Sequence, residues 1–185
     1  SPLQHSPYEV TSRSHLKSLD MVSVVKGFDK FNIPRVAQLS QRSNQFNLRT
    51  VRYTDAEIFA IEKNDNYVTF SFTLKDKFGD NGLICVIILN KKNTETLFVD
   101  TWFMSCRVLK RGMENFALNT IVEWAKINGF KKIVGEYLPT AKNAMVEQHY
   151  PNLGFTKIEG GETMQYVLDV NSYKPFECYI KRIIE

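Results

Sequence analysis

Between Leu97 and Phe155 the chain reads strand, basic turn, helix, strand and short helix in close succession, and this order constrains the fold more than any bulk property. Thr96 to Cys106 is apolar enough and long enough for a strand. Arg107 to Gly112 is a basic turn containing a glycine. From about Arg111 to Asn128, residues Met113, Phe116, Ala117, Ile121 and Trp124 fall on one helical face. Gly129 then sits where a helix-ending C′ glycine is expected. Lys132 to Tyr137 reads as the next strand, and Thr140 to about Tyr150 as the next helix.

The flanks extend the pattern. Met21 to Lys26 (MVSVVK) is a short β-branched strand, and Asn32-Ile33-Pro34 a helix entry, with Pro34 at a position where no N–H is needed. Val36, Leu39 and Ser43 lie along one face of that helix. Thr54 and Glu57 have the spacing of a capping box, so a second helix starts there. Val68, Phe70 and Phe72 alternate with polar residues, Asp80-Asn81-Gly82 reads as a hairpin turn, and Leu83 to Leu89 suits a central strand. Phe155 to Ile158 and Met164 to Leu168 read as a terminal strand pair, and Lys174 to Ile184 as a closing helix. The order is β-α-α-β-β-β-α-β-α-β-β. The expected class is α+β: a central mixed, mostly antiparallel sheet flanked by helices. The expected organisation is a lead-in segment over 1–20, one domain over 21–170 and a helical extension over 171–185.

A chain of 185 residues with 43% hydrophobic content can bury one substantial core. Its net charge of +4 is mild and forms no long basic run, which argues against a nucleic-acid partner. Cys85, Cys106 and Cys178 have no metal-ligand spacing, so no metal site is expected. Their odd number and apolar settings fit a reducing compartment, and a cytoplasmic location is expected. No apolar run approaches membrane-spanning length.

Three groups of residues are candidates for chemistry. Arg107, Val108, Lys110, Arg111, Gly112 and Met113 frame a helix N-terminus, where free N–H groups and the dipole favour an anion. Lys131, Lys132 and Lys142 are expected to join the positive charge around it. Asn44, Gln45 and Asn47 lie in an amide-rich loop suited to reading polar groups on an acyl chain or peptide. Asp100 is a carboxylate within an apolar strand, either a general base or the partner of an arginine. Strand alternation puts it on one face with Trp102, Met104 and Cys106. Cys106 is a nucleophile if Arg107 or the helix N-terminus lowers its pKa, and otherwise a buried, inert thiol.

These strings resemble the acyl-CoA-binding half of the GCN5-related N-acetyltransferase (GNAT) fold. In that family the turn follows [Gln/Arg]-x-x-Gly-x-[Gly/Ala] and surrounds a pyrophosphate. Here the matching positions are Leu109, Gly112 and Glu114, of which only Gly112 conforms, and the Glu114 carboxylate is expected to repel pyrophosphate. Asn143, Tyr150, Gly154 and Phe155 keep the spacing of the family's final motif. The resemblance implies a role for Asn143 in holding the arm and for the Tyr150 hydroxyl in protonating the leaving thiolate.

A narrower resemblance covers about Ser18 to Phe155. PRVAQLSQRSNQFNLRTVRYTDAEI, DKFGDNG, VDTWFMSCRVLKRG and YLPTAKN are similar to the C-terminal half of FkbH-like proteins. Members of that family join a haloacid-dehalogenase (HAD) type domain to an acetyltransferase-like domain. They move a glyceryl unit onto an acyl carrier protein, as in methoxymalonyl extender-unit biosynthesis. The resemblance implies an acyl carrier protein and a HAD-type catalytic domain as partners. It also implies that this chain receives a phosphopantetheine arm or an acyl-CoA rather than a tightly bound cofactor. The Asp-x-Asp-x-Thr signature of the HAD domain is missing here, since Asp76 and Asp80 do not match it, so that domain is expected upstream.

Overall fold

The computed structural model describes residues 13–184, so most of the expected lead-in segment lies outside the described residues. In chain order the elements are α1 (Arg13–Ser18), β1 (Met21–Lys26), α2 (Ile33–Arg42), α3 (Asp55–Lys63), β2 (Tyr67–Asp76), β3 (Gly79–Lys91), β4 (Thr96–Met104), α4 (Met113–Ile127), β5 (Lys132–Tyr137), α5 (His149–Asn152), β6 (Thr156–Lys157), β7 (Met164–Asp169) and β8 (Ile180–Ile183). Single 3-10 turns occur at Cys106–Val108 and Ala144–Val146. Among the described residues the strands form one sheet in the order β6-β7-β5-β4-β3-β2-β1-β8. The β4–β5 and β1–β8 pairs are parallel and the others antiparallel.

Local signals account for several elements. Thr54 accepts from the Glu57 N–H while Glu57 accepts from the Thr54 N–H, the reciprocal bonding expected from their spacing, and such a cap stabilises a helix start by about 1 kcal/mol. Gly129, at φ +81°, follows the last turn of α4. Two apolar layers then fix the sheet. Val36, Ala37, Ile58 and Ile61 of α2 and α3 pack with Val86, Ile88 and Phe103 on one face. The larger core includes Met113, Phe116, Ala117 and Ile121 of α4, with Phe72, Ile87, Val99 and Trp102 beneath them.

Three expectations are corrected. Asp76 pairs with Gly79, so Lys77 and Phe78 make the β2–β3 turn, with the Phe78 N–H bonded to the Asp76 side chain. Asp80-Asn81-Gly82 belongs to β3, where Asn81 and Gly82 stand opposite Leu74 alone and form a bulge; Gly82 takes φ +68° there. The segment 174–184 forms no helix: Ile180 to Ile183 add a strand parallel to β1, through a pairing with residues far away in the sequence. The expected helix from Thr140 to Tyr150 is replaced by one 3-10 turn and the short α5.

Candidate functional site

The sheet opens between β4 and β5. These strands pair only over Thr96–Phe98 and Lys132–Val134, then diverge. Beyond the split, β4 remains paired with β3 on its other edge up to Met104. The edge facing β5 is occupied by residues 46–48, which bridge antiparallel to Phe103. Leu48 donates its N–H to the Trp102 carbonyl at 3.1 Å, and Met104 donates to the Phe46 carbonyl at 3.0 Å. On the β5 side Leu138 donates to the Leu48 carbonyl at 2.9 Å.

Asn143 locks this arrangement. It is fully buried, and its amide donates to the Asn47 carbonyl at 2.9 Å and the Leu138 carbonyl at 3.0 Å. Asn47 is buried too: its side chain accepts from the Thr50 N–H and donates to the Ser43 carbonyl. Both residues therefore hold the loop to the sheet with the same groups that sequence reading assigns to a ligand. Asn44 and Gln45 differ, since they line an open cavity. The Asn44 carbonyl oxygen accepts from the Arg52 guanidinium, and Gln45 accepts from the Cys106 thiol at 3.5 Å.

That cavity, of about 570 Å3, lies where α2 and its following loop meet the end of β4. Arg42 and Lys142 contribute charge to its wall; Ser43, Asn44, Gln45 and Ser105 contribute polar groups, and Phe46 and Met104 apolar surface. Cys106 opens into it. The thiol is exposed, which corrects the buried-thiol expectation: β4 ends at Met104, so strand alternation no longer governs Cys106.

On the sheet face carrying α2 and α3, a polar network spans the split. Arg49 donates to Glu136 on β5 at 3.0 Å and to the Asp100 carbonyl on β4 at 2.8 Å, with the Asp100 carboxylate 3.6 Å away. Tyr53 and Thr101 donate to the Asp100 carboxylate at 2.7 and 2.8 Å. Glu136 also accepts from Thr163 and Gln165. Burial raises the Glu136 pKa, but these donors and Arg49 outweigh it and hold the carboxyl below its ordinary value. Burial, and then the bond to Asp100, push the Tyr53 hydroxyl up. Of the two sequence-based alternatives for Asp100, the geometry provides the arginine partner. Its face is corrected as well. Thr101 pairs with Ile88 and Val99 with Leu89, so Asp100 is an extra residue in a bulge and leaves the side on which Trp102 and Met104 pack.

Behind β4, in the main core, lie Trp102, His149 and Tyr150. The His149 ring sits edge-on to Trp102 at 4.4 Å and to Tyr150 at 5.1 Å, and Phe46 reaches it at 5.3 Å. All three are essentially inaccessible; the indole N–H points at the buried Cys85 sulfur, and both imidazole nitrogens and the Tyr150 hydroxyl have no hydrogen-bond partner among the described residues. Burial lowers the His149 pKa to about 3 and pushes the Tyr150 hydroxyl up. Gly135 on β5 makes room for the tyrosine, because a Cβ there would stand 2.3 Å from its ring. Tyr150 thus packs the interior, out of reach of a ligand in the cavity.

The basic turn is only partly as expected. Gly112 caps α4 in the left-handed region at φ +82°, and Lys110 precedes it at φ +66°. Val108 and Met113 point into the core. Arg111 is bound to Asp76 at 2.6 Å, and the Arg107 side chain donates to Ser105. Glu114 is buried; desolvation raises its pKa towards the neutral form, against the bond from its own N–H. Lys131 and Lys132 lie at the other end of the sheet. Lys132 pairs with Thr96, about 26 Å along β4 from Met104, and Lys131 faces Glu95. Sequence reading missed Arg42, which lines the cavity, and Arg49, Glu136 and His149, which meet partners dozens of residues away.

This architecture is the GNAT fold. The chain is similar to a domain from Methanocaldococcus jannaschii (15% identity, TM-score 0.62, covering 81% of this chain and 99% of that one). It is similar to the GNAT domain of S. lividans PAT (15% identity, TM-score 0.60, 78% and 89% covered) and to the ribosomal-protein-S18-alanine N-acetyltransferase of Escherichia coli (14% identity, TM-score 0.56, 79% and 91% covered). At such identities the likeness concerns the fold. No protein-family model and no curated protein sequence matches the chain. Among the described residues no helix is long and apolar enough to cross a membrane, and no cluster of potential metal ligands occurs.

Proposed function

We propose that this GNAT-fold domain recognises an acyl carrier protein and works with a HAD-type domain in transferring a glyceryl unit, as its resemblance to FkbH-like proteins implies. The observation that carries the reading is the cavity at the end of β4. Its volume suits a small ligand, its amides and hydroxyls suit the amide groups of a phosphopantetheine arm, and Arg42 and Lys142 suit the arm's phosphate. Arg107 and Lys110, both exposed and close in sequence to Ser105 and Cys106 of the lining, extend the positive charge that an acidic carrier protein would meet.

Titration of the domain with holo-carrier protein at low and at high salt tests the proposal. Binding that weakens with salt is expected, because exposed charges are screened; no binding at low salt overturns it. The fold neighbours favour a second reading, an acetyl-CoA-dependent N-acetyltransferase acting on an amine. Micromolar binding of acetyl-CoA in calorimetry would select that reading. The closed β4 edge does not separate the two readings, because coenzyme A and a holo-carrier protein bear the same pantetheine arm and residues 46–48 hold the Trp102 carbonyl and the Met104 N–H against either.

A further inference from the structure

The resemblance to the GNAT family implies an acyl-CoA or pantetheine arm, and the split between β4 and β5 is where an extended arm bearing amides would find strand-edge partners. In this chain those partners are taken from both sides. Segment 46–48 lies in the split as a short extra strand, bonded to Trp102 and Met104 on one flank and to Leu138 on the other. Phe46 and Leu48 are 5% and 1% exposed and belong to the main core, so the segment is packed as well as bonded. Asn143 and Asn47 add buried side-chain bonds at its centre. Removing it would leave the Trp102 carbonyl and the Met104 and Leu138 N–H groups without these partners.

We infer that segment 46–48 is a built-in substitute for the extended arm, so that an acyl-pantetheine unit is received outside the split, in the cavity at Cys106. The substrate class follows from the lining and rests on the carrier-protein reading. Ser43, Asn44 and Gln45 offer donors and acceptors for two amides, and Arg42 and Lys142 meet a phosphate. Phe46 and Met104, whose backbones close the split, form the apolar part of the same cavity. The acyl end of the arm then faces the Cys106 thiol and the Gln45 carbonyl. It does not face Tyr150, which lies in the core behind Trp102.

The test uses the intact chain and bromoacetyl-pantetheine, whose bromide a bound thiolate displaces as the S–C bond forms. Mass spectrometry should map the adduct to Cys106, with a rate that saturates in probe concentration. That rate should exceed the rate with iodoacetamide at least about tenfold, because binding makes the reaction effectively intramolecular. Cys85 is buried and Cys178 partly so, and Cys106→Ser should abolish the fast phase. Hydrogen exchange of the Leu48, Met104 and Leu138 amides should be unchanged by the adduct. Acceleration of those amides would place the arm in the split and overturn the inference, as would alkylation of Cys106 no faster than by iodoacetamide. The probe needs no carrier protein, so failure of carrier docking and failure of this inference are told apart.

Discussion

Two polar groups of residues flank the divergence of β4 and β5, one on each face of the sheet, and they are built on opposite terms. On the α2–α3 face, Arg49, Asp100, Glu136, Tyr53 and Thr101 bond to one another, and Thr163 and Gln165 close the network. On the core face, Trp102, His149 and Tyr150 pack ring against ring, and the imidazole nitrogens and the Tyr150 hydroxyl have no hydrogen-bond partner among the described residues. The first group ties two separating strands together with charge. The second fills the space beneath them with aromatic volume. The network is therefore sensitive to loss of a partner, whereas the aromatic group is sensitive to loss of shape or to gain of a proton.

The sharpest way to break this contrast is Arg49→Met. It leaves Asp100 and Glu136, whose side chains are 13% and 9% exposed, without their cation. Because Tyr53, Thr101, Thr163 and Gln165 still bond these carboxylates, losing the charged donor costs about 1.5–3 kcal/mol. Urea unfolding should show a loss in that range. A loss below about 1 kcal/mol, the value typical of an exposed ion pair, would mean that the network is no more than surface decoration.

His149 should give the next largest effect, through pH. Its folded pKa is about 3 against an ordinary 6.5, so above pH 6.5 neither the folded nor the unfolded chain binds the proton. Below 6.5 the unfolded chain takes it up and the folded chain does not. Stability then falls by about 1.4 kcal/mol per pH unit, or about 2 kcal/mol between pH 6.5 and 5. The carboxyls held low, Glu136 and Asp76, act in a lower window, as pH falls through the ordinary carboxylate range. Denaturant midpoints at pH 7, 6 and 5 for the natural chain and for His149→Phe separate the two. The variant should lose the slope above pH 5, and an unchanged slope would show that the imidazole is hydrated in solution.

The same division separates what could be read in the sequence from what could not. β1 and β5 fall on the expected residues because their β-branched runs are local signals, and the Thr54 capping box is complete within four residues. Gly129 marks the end of α4 for the same reason, whereas the helix expected from about Arg111 starts at Met113 with Gly112 as its cap. The site depends on distance. Arg49 meets Glu136 across 87 positions, and Asn143 meets Asn47 across 96. The resemblance to the GNAT family's final motif singled out Asn143 and Tyr150, but a motif says nothing about which side of the sheet its residues serve. The bulge at Asp100 breaks alternation where the site begins, and the end of β4 at Met104 frees Cys106 from it. The Asn-Gly pair suggested a turn because its backbone preference is shared by bulges, and only the partner strand distinguishes them.

Tyr150→Phe is the mildest test and the one that sharpens the comparison most. The ring fills a space between Trp102, His149, Phe155 and Tyr166 and fits against Gly135, so its shape must stay, while its hydroxyl bonds to nothing among the described residues. Removing an unpaired buried hydroxyl should leave stability unchanged or raise it by up to about 1 kcal/mol. Turnover measured together with a HAD-type domain should stay within about twofold of the parent, far from the 10²–10⁴-fold contribution of a general acid. A loss of that larger size with stability intact would show that the hydroxyl reaches the leaving thiolate. The split would then have to open during turnover, and segment 46–48 would be a gate rather than a permanent strand.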